Sequence, residues 1–141
     1  MRVAVSTKDG IMLTNDHFGE GEHFLIYEVS KEGYRLLEKR KNTSPEEEEH
    51  GSAKKAQGIR EILQDIPVLL GFQFGPNILR IKDHFLPIVS RKRKIERALE
   101  LLCNNFTAIE EEFHKGRGKV IILNAEGVKI LKLSEKNAKD F

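Results

Sequence analysis

Residues 52–71 read Ser52-Ala53-Lys54-Lys55-Ala56-Gln57-Gly58-Ile59-Arg60-Glu61-Ile62-Leu63-Gln64-Asp65-Ile66-Pro67-Val68-Leu69-Leu70-Gly71. Ala53, Ala56, Ile59, Ile62 and Leu63 fall at helical spacing, with Ser52 as the N-cap. Asp65 to Pro67 ends that helix. Val68-Leu69-Leu70-Gly71 is a continuous apolar run, the pattern of a strand covered on both faces. A helix feeding straight into such a strand sets the class as α/β.

Upstream, the elements are strands. Arg2 to Ser6 is apolar and runs into the turn Lys8-Asp9-Gly10, after which Ile11 to Thr14 can pair back as a second strand. Phe24 to Val29 is a third strand, and Tyr34 to Lys41 a fourth, although Leu36-Leu37 leaves a helix open there. Downstream, Gly75-Pro76 opens a short helix and Phe85 to Val89 forms a strand. A long helix follows from Lys92 to His114. Its stripe of Ile95, Leu99, Leu102, Phe106, Ile109 and Phe113 advances in steps of 4, 3, 4, 3 and 4. That stripe fits packing on the sheet, and it fits a homodimer seam. Gly116 and Gly118 stop the helix, and Asn124-Ala125-Glu126-Gly127 turns a final hairpin. Glu135 to Phe141 are expected to fray. The expected architecture is a mixed sheet flanked by helices, with right-handed parallel crossovers.

The chain has 141 residues, a third of them charged, and a formal net charge of +2. This length suits one domain, and near-neutral charge gives no blanket affinity for nucleic acid. A single cysteine excludes a disulfide framework and any cluster site built from several cysteines. Cys103 lies in the long helix and reads as a small hydrophobe. No apolar run reaches the ~20 residues that span a bilayer, and the start lacks a signal peptide's apolar stretch. A soluble cytoplasmic protein without membrane contact is expected. Many Glu and Lys with few Met and Cys point to a thermophilic source.

Chemistry-bearing residues are densest in Asp16-His17-Phe18-Gly19-Glu20-Gly21-Glu22-His23. Gly19 and Gly21 let backbone pass close to a ligand, and His17 sits on a loop from which an imidazole can reach a metal. A tight turn with surface histidines fits equally well. Together with Asp9-Gly10 before it and Phe24 to Val29 after it, the stretch resembles the signature of the nitrogenase iron–molybdenum cofactor biosynthesis and carrier family. Gly71 and Gly75-Pro76 are similar to that family's second glycine-bearing segment, and the likeness covers roughly residues 1–102. It implies a ribonuclease H-like α/β domain over residues 1–115, with 116–141 a hairpin extension of the same domain. It also implies a non-catalytic carrier for an iron–sulfur or iron–molybdenum-type cofactor or its precursor, with no organic cofactor. The family often has Ala or Ser where this chain has Gly21.

A cargo that must be handed on is best held by few ligands, since each further bond slows release. His17 is the primary metal ligand on this reading and His50, just before the first helix, the second; a solvated His50 fits its place beside an acidic run as well. Asp16, Phe18, Gly19, Gly21, Gly75 and Asn77 complete the cofactor-binding set. Metal–sulfur clusters are usually anionic, so the helix start at Gly75-Pro76-Asn77 would suit one. His84 and His114 read as surface residues.

Arg91-Lys92-Arg93-Lys94 begins the long helix and Glu110-Glu111-Glu112 sits near its end, both opposed to the helix dipole. Each fits a solvated face. The basic run also fits an acidic protein partner, a phosphate or a nucleic acid, which makes an interaction module the alternative function. Enzyme templates fit poorly. Asp9, Asp16 and Glu28 suit a two-metal nuclease by residue type only, and no P-loop, G-x-S-x-G or H-E-x-x-H motif occurs.

Overall fold

The computed structural model describes residues 1–46 and 52–141. In chain order its elements are β1 (Arg2–Thr7), β2 (His23–Ser30), β3 (Gly33–Lys41), α1 (Ala53–Ile62), β4 (Val68–Gly71), α2 (Ile78–Ile81), β5 (Leu86–Ser90), α3 (Ile95–Asn104), α4 (Phe106–His114), β6 (Lys119–Asn124) and β7 (Gly127–Lys132). The strands form one mixed sheet in the order β3-β2-β1-β4-β5-β6-β7. β1, β4, β5 and β6 run parallel to their neighbours in that series. β2 and β7 run antiparallel to theirs.

Alternation along the strands builds two cores. Ala4, Leu69 and Ile122 point to one face, where Ala56 and Ile59 of α1 and Ile78 and Ile81 of α2 cover them. Val3, Val5, Leu70 and Ile121 point to the other, under Ile95, Leu99 and Leu102 of α3 and Ile109 of α4. Every residue of β4 and β5 is therefore buried, which accounts for their unbroken apolar sequence.

Several expectations need correction. Ile11 to Thr14 is not a strand; only the isolated bridges Thr7–Leu13 and Met12–Lys94 form. The Asp9 carboxylate accepts the N–H of Ile11 and of Met12 at 2.8 and 2.9 Å, and the Thr7 hydroxyl donates to Met12 O at 2.6 Å. Side chains thus take the backbone groups a ladder would use. The strand expected over Tyr34 to Lys41 does form, with Leu37 left over where the register shifts between the pairs Ile26–Glu38 and Tyr27–Leu36.

The long helix is two helices. Asn105 leaves helical geometry at φ −114° and ψ 17°, and its side-chain amide donates to Leu101 O at 2.8 Å. The apolar stripe survives the break because both helices keep it against the sheet, which covers the surface a dimer seam would need. The basic run precedes α3 rather than opening it, since Lys94 is its extended N-cap. Uniformly right-handed crossovers do not hold either. The chain steps the same way from β4 to β5 to β6, yet α2 lies on one face and α3–α4 on the other, so these two crossovers have opposite hands.

Residues 135–141 do not fray. Ala138 and Phe141 are buried in the α1–α2 core, and Phe74 N–H donates to Phe141 O.

Candidate functional site

β1 and β4 lie side by side and parallel, and the chain leaves them toward opposite halves of the sheet. Ligands in open α/β sheets bind beyond the carboxyl ends of strands at such a switch point. Two loops meet there. One carries His17 and the turn Phe18–Glu20; the other runs Phe72 to Asn77. They are stitched together by Phe18 N–H to Gln73 O at 2.9 Å and by the Gln73 side-chain amide to Asn15 O. Phe18 is buried and stacks on Phe24 and Phe74, with ring centroids 5.5 and 5.0 Å away. The Ser6 hydroxyl donates to Phe18 O at 2.5 Å.

These contacts press His17 onto Gly75. A Cβ at Gly75 would lie 2.5 Å from His17 Nδ1, and the backbone there has φ +75°. Only glycine meets both demands without strain. The half-buried His17 borders three hollows. The first is a narrow slot of about 20 Å³ beside Phe18, Lys55, Phe74 and Asn77, room for one water. The second is an open shelf of about 430 Å³ with Lys8, Asp16, Glu20 and Gln73. The third holds about 320 Å³ between the Gly75-Pro76 turn, Arg91 and residues 139–141.

The other expected site residues divide by role. Asp16 pairs with Lys8 at 2.6 Å, and that hydrogen-bonded ammonium holds the Asp16 carboxyl below its ordinary range. Gly19 lets the Lys55 stem pass, since a Cβ there would lie 3.1 Å from Lys55 Cε. Gly21 faces β1 rather than a hollow; its Cβ would lie 2.0 Å from Ser6 Oγ. Asn77 clamps the start of α1. Its Oδ1 accepts Ser52 N–H and its Nδ2 donates to Ser52 O, both at 3.1 Å. Ser52 in turn accepts Lys55 N–H, as an N-cap should. The anion-holding helix start expected at Gly75 needs correction, because α2 has only 4 residues and so little dipole. His50 and the acidic residues 47–49 lie outside the described residues.

The basic run is not one patch. Arg91 faces the third hollow, Arg93 Nε donates to Leu13 O at 2.8 Å, and Lys94 lies 4.0 Å from Glu96. The nuclease carboxylates do not converge. Asp9 holds its own turn, and Glu28 lies at the far end of β1, 3.7 Å from the Met1 ammonium. Cys103 is buried on the α3 face, which pushes its thiol up. Among the described residues, no three His, Cys, Asp or Glu side chains are grouped to hold a metal ion.

Two residues escaped the sequence reading. Lys55 is 4% exposed, lines the slot and lies 3.5 Å from Glu20 Oε1. Its place four residues before Ile59, on the buried stripe of α1, was the available signal. Lys139 left none, because it belonged to a segment read as frayed.

The family model described as dinitrogenase iron-molybdenum cofactor matches residues 1–105. The chain belongs to that family. Protein NifX of Sinorhizobium fredii is 40% identical over 38 residues, which is 27% of this chain. The chain spans about a quarter (23%) of that relative's length. The family match ends at Asn105, the break between α3 and α4. Thus β1 to α3, and with them both loops at His17, lie inside the family domain, whereas β6, β7 and the closing segment lie beyond it. Among the described residues, no helix is long and apolar enough to cross a membrane.

Proposed function

We propose that this protein is a non-catalytic carrier in iron–molybdenum cofactor assembly, taking an iron–sulfur or iron–molybdenum-type cluster, or its precursor, as cargo. Family membership supports the setting. The observation that carries the reading is the His17 imidazole held on Gly75 at the mouth between β1 and β4. The strand order β3-β2-β1-β4-β5, with β2 alone reversed, supports the ribonuclease H-like fold that goes with it.

The donor set suits a cargo that must leave. One imidazole grips a metal, and no thiolate is near to hold it irreversibly. Arg91 on the third hollow favours an anionic cluster there, whereas Lys8 on the shelf is already paired with Asp16. The slot is too small for a cluster, so the cargo sits in an open hollow and Lys55 works from behind His17. Gly75 keeps backbone close to the cargo, while Asp16, Phe18, Gly19, Gly21 and Asn77 position the loops around it. His50 is the second imidazole in this proposal. The carrier works in the cytoplasm.

Anaerobic loading with isolated iron–molybdenum cofactor, followed by absorption and electron paramagnetic resonance, tests this. His17→Ala should weaken binding by at least about tenfold, the loss seen when even a metal's outer-shell partners are removed. Equal binding by parent and variant would overturn the ligand assignment.

A further inference from the structure

Ser134–Phe141 folds back onto the mouth, although it lies beyond the family-matched residues. Both of its ends are held. Ser134 N–H donates to Asn137 Oδ1 at 2.9 Å, and Asn137 Nδ2 donates to Lys132 O at 2.8 Å. At the other end Phe141 is buried and accepts the Phe74 N–H. Lys139 and Asp140, exposed between these anchors, line the hollow of about 320 Å³ that His17 and Gly75 also border. Arg91 closes the hollow from the end of β5, its backbone fixed by Arg91 N–H to Leu123 O at 2.9 Å.

Among the described residues, neither the Arg91 guanidinium nor the Lys139 ammonium has a carboxylate within 4.0 Å, and Asp140 pairs with neither. The exposed Arg91 and Lys139 therefore share an open hollow with the Gly75 backbone, the His17 imidazole and the Asp140 carboxylate. Two cations lining one hollow raise the local concentration of anions there. We propose that the closing segment completes an anion pocket in which Arg91 and Lys139 hold a compact multivalent anion against His17. For the carrier this makes Lys139 a specificity-determining residue, a role that rests on the reading above. The ligand class is a tetrahedral or cluster anion carrying thio or oxo ligands.

Titration calorimetry without oxygen, with tetrathiomolybdate and separately with inorganic phosphate, tests this on the full chain. The variants are Arg91→Ala, Lys139→Ala, His17→Ala and, as a control exposed on the same segment, Lys136→Ala. Tetrathiomolybdate should bind the parent, and Arg91→Ala and Lys139→Ala should each weaken it about tenfold, the worth of one charged hydrogen bond. Both should also flatten its salt dependence, and Lys136→Ala should leave it unchanged. Phosphate binding that needs Arg91 and Lys139 but not His17, with no tetrathiomolybdate binding, would support the pocket and sink the carrier reading. Binding indifferent to Arg91 and Lys139, or no binding of either anion, would overturn the pocket.

Discussion

Gly21 and Gly75 lie on the two loops that meet at the mouth, and each is small for a different reason. At Gly21 the neighbour is the frame of the sheet: Ser6 Oγ would be 2.0 Å from a Cβ and the Thr7 backbone nitrogen 3.0 Å. At Gly75 the neighbour is the His17 ring, and the backbone itself is in the left-handed region. The first glycine lets a strand end pass, and the second seats an imidazole. A glycine in a binding motif thus need not touch a ligand, and these two are separable by experiment.

The largest effect should come from Gly21→Ala. The methyl group meets a buried hydroxyl that already donates to Phe18 O, and it has rigid backbone behind it. Overpacking together with the lost hydrogen bond should cost about 3 kcal/mol in chemical denaturation. A cost below about 1 kcal/mol would mean that the loop moves aside and that the contrast with Gly75 is false. Gly75→Ala should cost less stability, about 1–2 kcal/mol for a side chain in the left-handed region. Its cargo binding should nevertheless fall as far as that of His17→Ala, because the methyl displaces the ring. Binding retained in Gly75→Ala would show that the seat is not needed.

The same pair of loops shows what could be read from the residues alone. β4 was legible because a strand buried on both faces needs an apolar residue at every position, and Val68 to Gly71 comply. His17 and Gly75 share one expected set of site residues, and the parallel pairing of β1 and β4 brings the loops that follow them to one side of the sheet. The break at Asn105 was not legible, since the apolar stripe continues through it in phase. Nor was the docked closing segment: Phe141 stands alone among polar residues, and its burial depends on Phe74, distant in sequence. The turn at Asp9 hid a third difficulty. Ile11 to Thr14 has strand-like residues, but the carboxylate of Asp9 outcompetes the ladder for their N–H groups.

Gly19→Ala sharpens the contrast at smaller scale. Its methyl would meet Lys55 Cε at 3.1 Å and Ile59 only at ordinary distances. The lysine stem is a flexible neighbour, so the cost should stay under about 1 kcal/mol by denaturation. A cost like that of Gly21→Ala would show that Lys55 is rigidly fixed and that its contact with Glu20 is stronger than its 3.5 Å separation suggests.

Acid should distinguish the two loops with the smallest effect of all. Asp9 is held below its ordinary value of 3.8 first by the N–H groups of Met12 and Ile11, and Asp16 first by its hydrogen bond to Lys8. Each carboxylate binds its proton less readily in the folded chain, so its stabilisation is complete above pH 3.8 and is lost as pH falls through the lower folded value. Both groups are exposed, so the loss is small and screened by salt. In an amide-resolved titration, the Ile11 and Met12 signals should move with a midpoint below 3.8, while the Phe74 and Gly75 signals stay in place. Phe74 moving on the same midpoint would instead show that the loops respond as one body, with the Phe18 N–H to Gln73 O bond transmitting the change.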